Sequence, residues 1–254
     1  IRRQRQMCIR DSVNQWQIFE LIKSSNVYFQ DIPFPNENLN SQRNDSGLRK
    51  EVKNTINKIP PPSDDIDYDI TYRISGPFNF DTKFNSKVVF VFATSEYKND
   101  LIKSDYINGE PIQLSKEENF FIHTPSNWSK KSFLAAGCRE DQVIVVPHGV
   151  DVETFNLISE SEKKNIRDKY NIKSDDYVLT NIGAMTQNKG VEDLVAAYGI
   201  LKKKNKNLKL ILKDQSNLYD RNANSPIKNM QNSKFNQKYQ IFNEQMYNDI
   251  IIIS

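Results

Sequence analysis

The sequence predicts an α/β protein built on a parallel sheet. Residues 176–182 are apolar and β-branched, which predicts a buried strand. From Val191 onward the apolar residues recur at helical spacing, and residues 208–212 form a second apolar strand. Two strands connected through a helix over this length pair in parallel. Parallel sheets bind ligands at the loops that follow the carboxyl ends of their strands. The region 176–214 therefore predicts both the fold class and the position of a site.

The first part of the chain, residues 13–147, is predicted to be another α/β region. Helices are predicted at 14–24 from the apolar spacing and at 47–59, which a run of three prolines ends. A third helix, 127–136, follows Ser126, a residue type that caps helix amino ends. Five short apolar runs have the composition of strands. These predicted strands are 26–29, 70–74, 88–93, 119–123 and 143–146.

The second part of the chain, residues 148–254, continues the alternation of strands and helices. A charged surface helix is predicted at 160–170, before the strand–helix–strand unit. Residues 215–247 are polar and rich in Asn and Gln, which predicts one or two short surface helices and partial disorder. Residues 249–253 form another apolar strand pattern.

Lys189 lies in the loop after the strand 176–182, just before the helix. A cation at a helix amino end is disfavoured by roughly 0.3–1 kcal/mol. That cost vanishes when an anion is bound, because helix N–H groups and an ammonium can share a phosphate. The loop from Gly183 to Gly190 lacks the spacing of a P-loop. The loop alone leaves open a phosphate-binding lysine and a solvated lysine in a tight turn.

Two blocks of sequence between residues 118 and 214 carry a family resemblance. The first has a serine-led helix, a strand, the turn Pro-His-Gly-Val-Asp at 147–151 and then Phe155. The second has a glycine at a strand end, a Lys-Gly pair and a helix of small and apolar residues. In this order and spacing, the two blocks resemble the retaining GT-B glycosyltransferases of family 4.

The resemblance implies two Rossmann-like domains that face a cleft, both incomplete in this chain. It also implies transfer of a sugar from a nucleotide-sugar to an acceptor (a glycan, a lipid or a small molecule), with retention of configuration. Lys189 would neutralise the donor diphosphate, helped by the helix start after Gly190, and Gly183 would allow close backbone approach. The nucleotide-sugar is a co-substrate, and neither a cofactor nor a metal is implied. Ala184 stands where the family has an arginine, so one expected diphosphate cation is missing.

Three further residues are weighed as cleft or turn residues. Glu96 follows the predicted strand 88–93, where the family often has an acid or a histidine facing the acceptor; the alternative is a helix start capped by Ser95. His148 replaces the asparagine of the family's turn at the domain junction, so it lines the cleft or serves the turn. His123 is interpreted as a hydrogen-bonded strand end rather than as a base.

Both ends of the chain read as interrupted. Residues 1–12 resemble a translated sequencing adapter and are excluded from the fold argument, a natural basic tail being the alternative. A Rossmann-like domain begins with a strand and a Gly-rich loop before its first helix. Neither precedes the first predicted helix in this sequence. The family's acidic pair, which holds the donor sugar, is not found after the last strand. The expectation is therefore an internal fragment that has no activity of its own, with domains at 13–147 (acceptor side) and 148–254 (donor side).

Composition limits the partners. A net charge of +3 and the lack of a basic and aromatic stripe argue against nucleic acid. No apolar run reaches the length of a transmembrane helix. Cys138 is the single cysteine outside residues 1–12, which suits a reducing cytosol, and no Cys/His cluster has metal-ligand spacing. The basic cluster 202–206 is interpreted as a solvated helix end, with peripheral contact at the inner membrane surface as the alternative.

Two other functions stay open beside glycosyl transfer. One is a nucleotide-sugar epimerase of the GT-B type, which an assay of sugar transfer would separate. The other is a catalytically silent GT-B-like binding or scaffold protein, which Ala184 favours. A hydrolase is not predicted, because the sequence has no Gly-x-Ser-x-Gly motif, no Cys/His pairing and no paired carboxylates.

Overall fold

The structure is a computed structural model that describes most of the chain. The described residues are 2–3, 8–30, 49–75, 77–83, 86–95, 106–183, 185, 189–213 and 224–253. The chain divides into two compact units, Ile1–Asp151 and Val152–Ser254. Both are mixed α/β, and each strand pair that the structure describes is parallel. The predicted α/β fold class with parallel sheets is thereby confirmed.

The first unit contains a five-stranded parallel sheet and a short two-stranded ribbon. Its strands are β1 (Arg2–Arg3), β2 (Tyr68–Ile74), β3 (Phe78–Asn79), β4 (Ser86–Phe92), β5 (Tyr106–Ile107), β6 (Phe120–Thr124) and β7 (Val143–Val145). Its helices are α1 (Cys8–Leu21), α2 (Lys50–Ile56), α3 (Pro111–Leu114) and α4 (Asn127–Ala135), with a 3-10 turn at Glu140–Gln142. The sheet order is β1-β2-β4-β6-β7, and β3 pairs with β5. Four of the five predicted strands are confirmed here.

The two faces of this sheet are set by the alternation of side chains along β4. Val89 and Val91 lie in a buried apolar cluster that includes Phe133 of α4. Phe92 points to the opposite face, and it is fully buried. The start of α4 follows the sequence prediction, because the Ser126 hydroxyl accepts a hydrogen bond from the Ser129 N–H at 3.2 Å.

The start of the chain differs from the prediction. β1 pairs with Arg73 and Ile74, so a strand does precede the first helix. The helix itself begins at Cys8 rather than at residue 14. A short strand satisfies backbone groups along the edge of β2 that would otherwise be unpaired. Residues 2–3 and 8–12 therefore lie in described elements of the fold, whereas the adapter origin of residues 1–12 stays a prediction.

The predicted strand at 26–29 is also wrong. The chain after α1 turns back beside α2, and the Phe29 N–H donates to the Pro60 carbonyl at 2.9 Å. Val27 and Phe29 pack beside the buried Ile18 and Val52. These apolar side chains therefore pack against two helices and not within a sheet. A short apolar run is compatible with either arrangement, so its sequence alone cannot tell them apart.

The second unit contains a three-stranded parallel sheet in the order β10-β9-β8. Its elements are α5 (Glu160–Lys169), β8 (Tyr177–Ile182), α6 (Val191–Lys204), β9 (Leu208–Lys213), α7 (Asn224–Asn232), α8 (Lys234–Tyr239), α9 (Glu244–Asn248) and β10 (Ile250–Ile253). Val195 and Tyr198 of α6 pack with Leu210 and Leu212 of β9 in its core. The predicted strand–helix–strand unit is confirmed.

Two predictions for the second unit are corrected by the structure. β8 is an edge strand rather than a buried one, with Tyr177 64% and Ile182 78% exposed. Among the described residues, three short helices follow β9 instead of one or two, while the predicted disorder falls partly on residues 214–223, outside the described residues. Within the part of the chain that the structure describes, none of the helices has the length and apolarity to cross a membrane.

Lys202 is buried, although the sequence predicted a solvated lysine. Its ammonium donates to the carbonyls of Lys206 and Leu208, each at 2.7 Å, and lies 2.9 Å from Asp249 Oδ2. Lys209 binds the other oxygen of Asp249 at 2.6 Å. A helical lysine becomes buried when carbonyls and a carboxylate replace its water. The exposed basic cluster is therefore smaller than predicted.

Candidate functional site

The loop after β8 brings the three predicted donor residues to one end of the second sheet. Gly183 follows the last residue of β8, and Lys189 and Gly190 directly precede α6. Because β8 is parallel to β9, this end is the carboxyl edge of the sheet. Such an edge, beside a helix amino end, suits an anionic ligand. The position of all three residues is therefore consistent with a phosphate site.

Gly183 leaves open space at this edge. Its φ is +156°, a conformation that residues with a side chain rarely adopt, and among the described residues no atom beyond its chain neighbours lies within 4 Å of the place where a Cβ would be. The backbone of Gly183 is therefore accessible to a bound group. Gly190 has φ 63° and ψ 25°, in the left-handed region, and it forms the amino cap of α6.

The first turn of α6 has no side-chain cap among the residues that the structure describes. Its N–H groups are those that a bound anion or water satisfies at other helices. Glu192 would repel an anion, but its carboxylate accepts a hydrogen bond of 2.7 Å from Asn229 on α7. Lys189 is exposed beside this turn, so its ammonium can reach a ligand there. Ala184 lies outside the described residues.

A second group of polar side chains lies at the carboxyl edge of the first sheet. His123 in β6 and Phe92 in β4 face each other in register, with ring centroids 5.3 Å apart. His148, which follows β7, lies on the other side of Phe92 at 5.6 Å. One phenylalanine therefore contacts both histidines of the chain.

His123 is hydrogen-bonded through both ring nitrogens. Nδ1 lies 2.5 Å from the Tyr72 hydroxyl of β2, and Nε2 lies 3.2 Å from the Val146 carbonyl oxygen. The prediction that His123 is a hydrogen-bonded strand end is confirmed. Burial lowers the pKa of His123, the Val146 carbonyl opposes this in part, and the nearby His148 lowers the pKa further. The Tyr72 partner was not predicted, because it comes from a non-adjacent strand.

The pH dependence of folding is expected to report the burial of His123. Because its folded pKa lies below the unfolded value of about 6.5, its stabilising contribution is complete above that pH and is lost as the pH falls. The limiting slope is about 1.4 kcal/mol per pH unit. Urea unfolding between acidic and neutral pH, followed by the fluorescence of Trp16 and Trp128, measures this slope. His123→Gln should flatten it, and an equal slope in the variant would contradict the assignment.

The loop after β4 is only partly described. Ser95 is buried, and its N–H donates to the Ser129 hydroxyl at 2.8 Å. Thr124 donates to the same hydroxyl at 2.6 Å, so the ends of β4 and β6 are tied to α4. Glu96 lies outside the described residues, so its predicted place in the cleft stays a prediction. His148 is exposed at the sheet edge, which fits a turn residue that can meet a ligand.

Metal-ligand groups and the Cys138 thiol are two further features of the described residues. No group of three His, Cys, Asp or Glu side chains that could hold a metal ion occurs among them. Cys138 is buried, its thiol donates to the Pro111 carbonyl at 3.6 Å, and burial raises its pKa to about 12. A thiol with that pKa is a poor nucleophile at neutral pH.

Comparison with known proteins gives a likeness of fold. No family model and no curated protein matches the sequence. A glycosyltransferase from Rickettsia africae ESF-5 superposes with a TM-score of 0.52 at 15% identity, over 93% of this chain and 56% of that chain. HepE from Anabaena in complex with UDP-glucose gives a TM-score of 0.45 at 12% identity, over 73% and 48%. This chain therefore has a fold similar to that of the Rickettsia enzyme, and it spans about half the length of the compared proteins.

Proposed function

We propose that this chain is part of a retaining GT-B glycosyltransferase, similar to family 4, that binds the diphosphate of a nucleotide-sugar at the amino end of α6. The observation that carries the proposal is the placement of Lys189, Gly190 and Gly183 together at the carboxyl edge of a parallel sheet. The similarity to the fold of the Rickettsia glycosyltransferase supports the architecture on which the proposal rests. The sugar, the nucleotide and the acceptor are left unassigned.

The proposed chemistry is stabilisation of a leaving group. When the bond between the sugar and the diphosphate breaks, negative charge grows on the departing phosphate oxygen. The acceptor hydroxyl oxygen forms the new bond to the sugar and releases its proton, which the departing phosphate can take. Lys189 and the first-turn N–H groups of α6 would stabilise that charge, because fixed donors need no reorganisation during the reaction. With Ala184 in the position of the family's arginine, Lys189 is the single matched cation, so a large part of diphosphate affinity should depend on it.

Lys189→Ala is expected to weaken nucleoside diphosphate binding at least about tenfold. The reason is the loss of one charge-assisted hydrogen bond, worth about 1.5–3 kcal/mol. Calorimetric titration of the full chain with UDP, GDP and ADP measures the affinity. Lys203→Ala is the matched control, since Lys203 is an exposed lysine near the opposite end of the same helix.

Four outcomes separate the alternatives. Equal affinity in wild type and Lys189→Ala would contradict the donor site, and so would a wild-type chain that binds none of the three nucleotides. Tight binding that depends on Lys189, but no sugar transfer by the longer protein, would identify a silent binding protein. Interconversion of sugars without transfer would identify an epimerase.

A further inference from the structure

Val146 is held by β6 through both of its backbone polar groups. Its N–H donates to the Thr124 carbonyl at 2.9 Å, and its carbonyl faces His123 Nε2 at 3.2 Å. The residue after it is Pro147, whose ring fixes φ. His148 therefore follows a backbone segment with little freedom, although the segment lies outside any strand or helix.

The proton on His123 can be assigned from its neighbours. A carbonyl oxygen only accepts hydrogen bonds, so the Nε2 atom that faces Val146 carries a proton. The lone pair of a neutral ring is then on Nδ1, where it accepts from the Tyr72 hydroxyl at 2.5 Å. Tyr72 is half-buried and burial raises its pKa, so its hydroxyl keeps its proton at neutral pH.

Gln17 of α1 completes the chain of hydrogen bonds. Its side-chain oxygen lies 3.0 Å from the Tyr72 hydroxyl. A phenol has one proton, so Tyr72 cannot donate to both Gln17 and His123. With neutral His123, the Gln17 amide must present its NH₂ group to Tyr72; the oxygen and nitrogen of an amide are assigned from such networks. The hydrogen bonds then run from Gln17 through Tyr72 and His123 to Val146, with one donor and one acceptor at each contact.

We infer that Tyr72 and His123 are positioning residues: they anchor the Val146 carbonyl and thereby seat the exposed His148 imidazole on Phe92, at the carboxyl edge of the first sheet. Partial burial there lowers the pKa of His148, which keeps its ring neutral at neutral pH. A neutral imidazole can exchange hydrogen bonds with a hydroxyl. That His148 contacts the hydroxyl-bearing acceptor rests on the proposed function; the anchoring of His148 does not.

The test uses the small number of histidines. The chain has two, His123 and His148, so labelling with carbon-13 and nitrogen-15 histidine gives spectra of these rings alone. In the wild type, long-range nitrogen–proton correlations should show His123 as the Nε2–H tautomer. His148 should carry a ring-current shift from Phe92 and titrate below the ordinary histidine pKa of about 6.5.

Four variants separate anchoring from a general loss of packing. In His123→Leu the anchor is removed, so the His148 ring-current shift should disappear and its pKa should rise toward about 6.5. His123→Gln offers an amide N–H in place of Nε2–H and should restore both signals. Tyr72→Phe should move the His123 Nδ1 resonance toward that of an unbonded nitrogen. Tyr68→Phe, which removes a hydroxyl from the same strand that bonds Ser63, should leave both rings unchanged.

Two results would overturn the inference. One is a folded His123→Leu chain whose His148 signals and pKa equal those of the wild type. The other is a wild-type His123 found as the Nδ1–H tautomer, which decides the matter even where the leucine variant does not fold. Neither readout needs a nucleotide or an acceptor, so a failed donor-site proposal would leave this result interpretable.

Discussion

Lys202→Met is expected to destabilise the second unit by about 3 kcal/mol. Methionine keeps the length and the apolar contacts of the lysine stem, so the change isolates the ammonium. Its loss removes the lysine donor from the carbonyls of Lys206 and Leu208, and a bond lost at a buried group, such as the one to Leu208, costs about 1–3 kcal/mol. Asp249 keeps Lys209, so the full penalty for an unpaired buried charge is not reached.

The measurement can be made separately on each unit. Both tryptophans, Trp16 and Trp128, lie in the first unit, so their fluorescence transition in urea should not change. Far-ultraviolet circular dichroism also follows the second unit and should show the earlier transition. Lys203→Met, at the exposed neighbouring position, is the control and should stay within about 0.5 kcal/mol of the wild type. A Lys202→Met chain as stable as this control would show that the buried contacts contribute nothing.

Acid should narrow the difference in stability between Lys202→Met and the Lys203→Met control. Burial alone would raise the pKa of Asp249, but the hydrogen bonds from Lys209 and Lys202 outweigh it and lower the pKa. The stabilisation is therefore complete above the unfolded carboxyl pKa of about 3.9 and is lost as the pH falls through the folded value. Lys202→Met has one of the two lysines and should lose less stability over the same interval.

Gly199→Ala is expected to destabilise the second unit by about 1–3 kcal/mol, although alanine is the better helix former. Gly199 is buried in the middle of α6. An added Cβ would lie 2.9 Å from the carbonyl oxygen of Ile241 and 2.8 Å from its Cγ2. The nearest backbone atom cannot rotate away, so the helix and the 240–242 turn must separate, and overpacking of this kind typically costs about 1–3 kcal/mol.

The sign of the Gly199→Ala effect decides between packing and helix propensity. Without the contact, the substitution should stabilise the helix by about 0.8–1 kcal/mol. Ala197→Gly, at an exposed position of the same helix, measures that propensity term directly. Urea unfolding followed by circular dichroism gives both values. A stabilised Gly199→Ala chain would mean that α6 and residue 241 do not approach as closely as the structure shows.

The elements predicted best are those whose side-chain pattern reports burial on one face. α6 and β9 are examples. The apolar residues of α6 recur at helical spacing and so form one face that packs on the sheet, and the short apolar run of β9 fits a strand within that sheet. The run at 26–29 was misassigned, since its apolar residues pack between helices. The ribbon of β3 and β5 was missed because it pairs two residues from each strand, too few to show an alternation.

The candidate site was predicted in part for a similar reason. Gly183, Lys189 and Gly190 are close in sequence, so one loop brings them together and the sequence alone could locate them. The contacts of His123 could not be located that way. Tyr72 and Val146 come from other elements, and the order of strands in the sheet decides which of them it meets.

The sequence by itself determined the α/β class, the parallel strand–helix–strand unit and the loop that carries Lys189, because these depend on local spacing along one stretch of chain. Tertiary structure alone decided that Lys202 is buried beside Asp249, that Gly199 touches Ile241 and that Tyr72 bonds His123. Each of these contacts joins residues from different elements. Whether a polar group is solvated or buried depends on the neighbours that the fold supplies, and a residue's own sequence does not specify them.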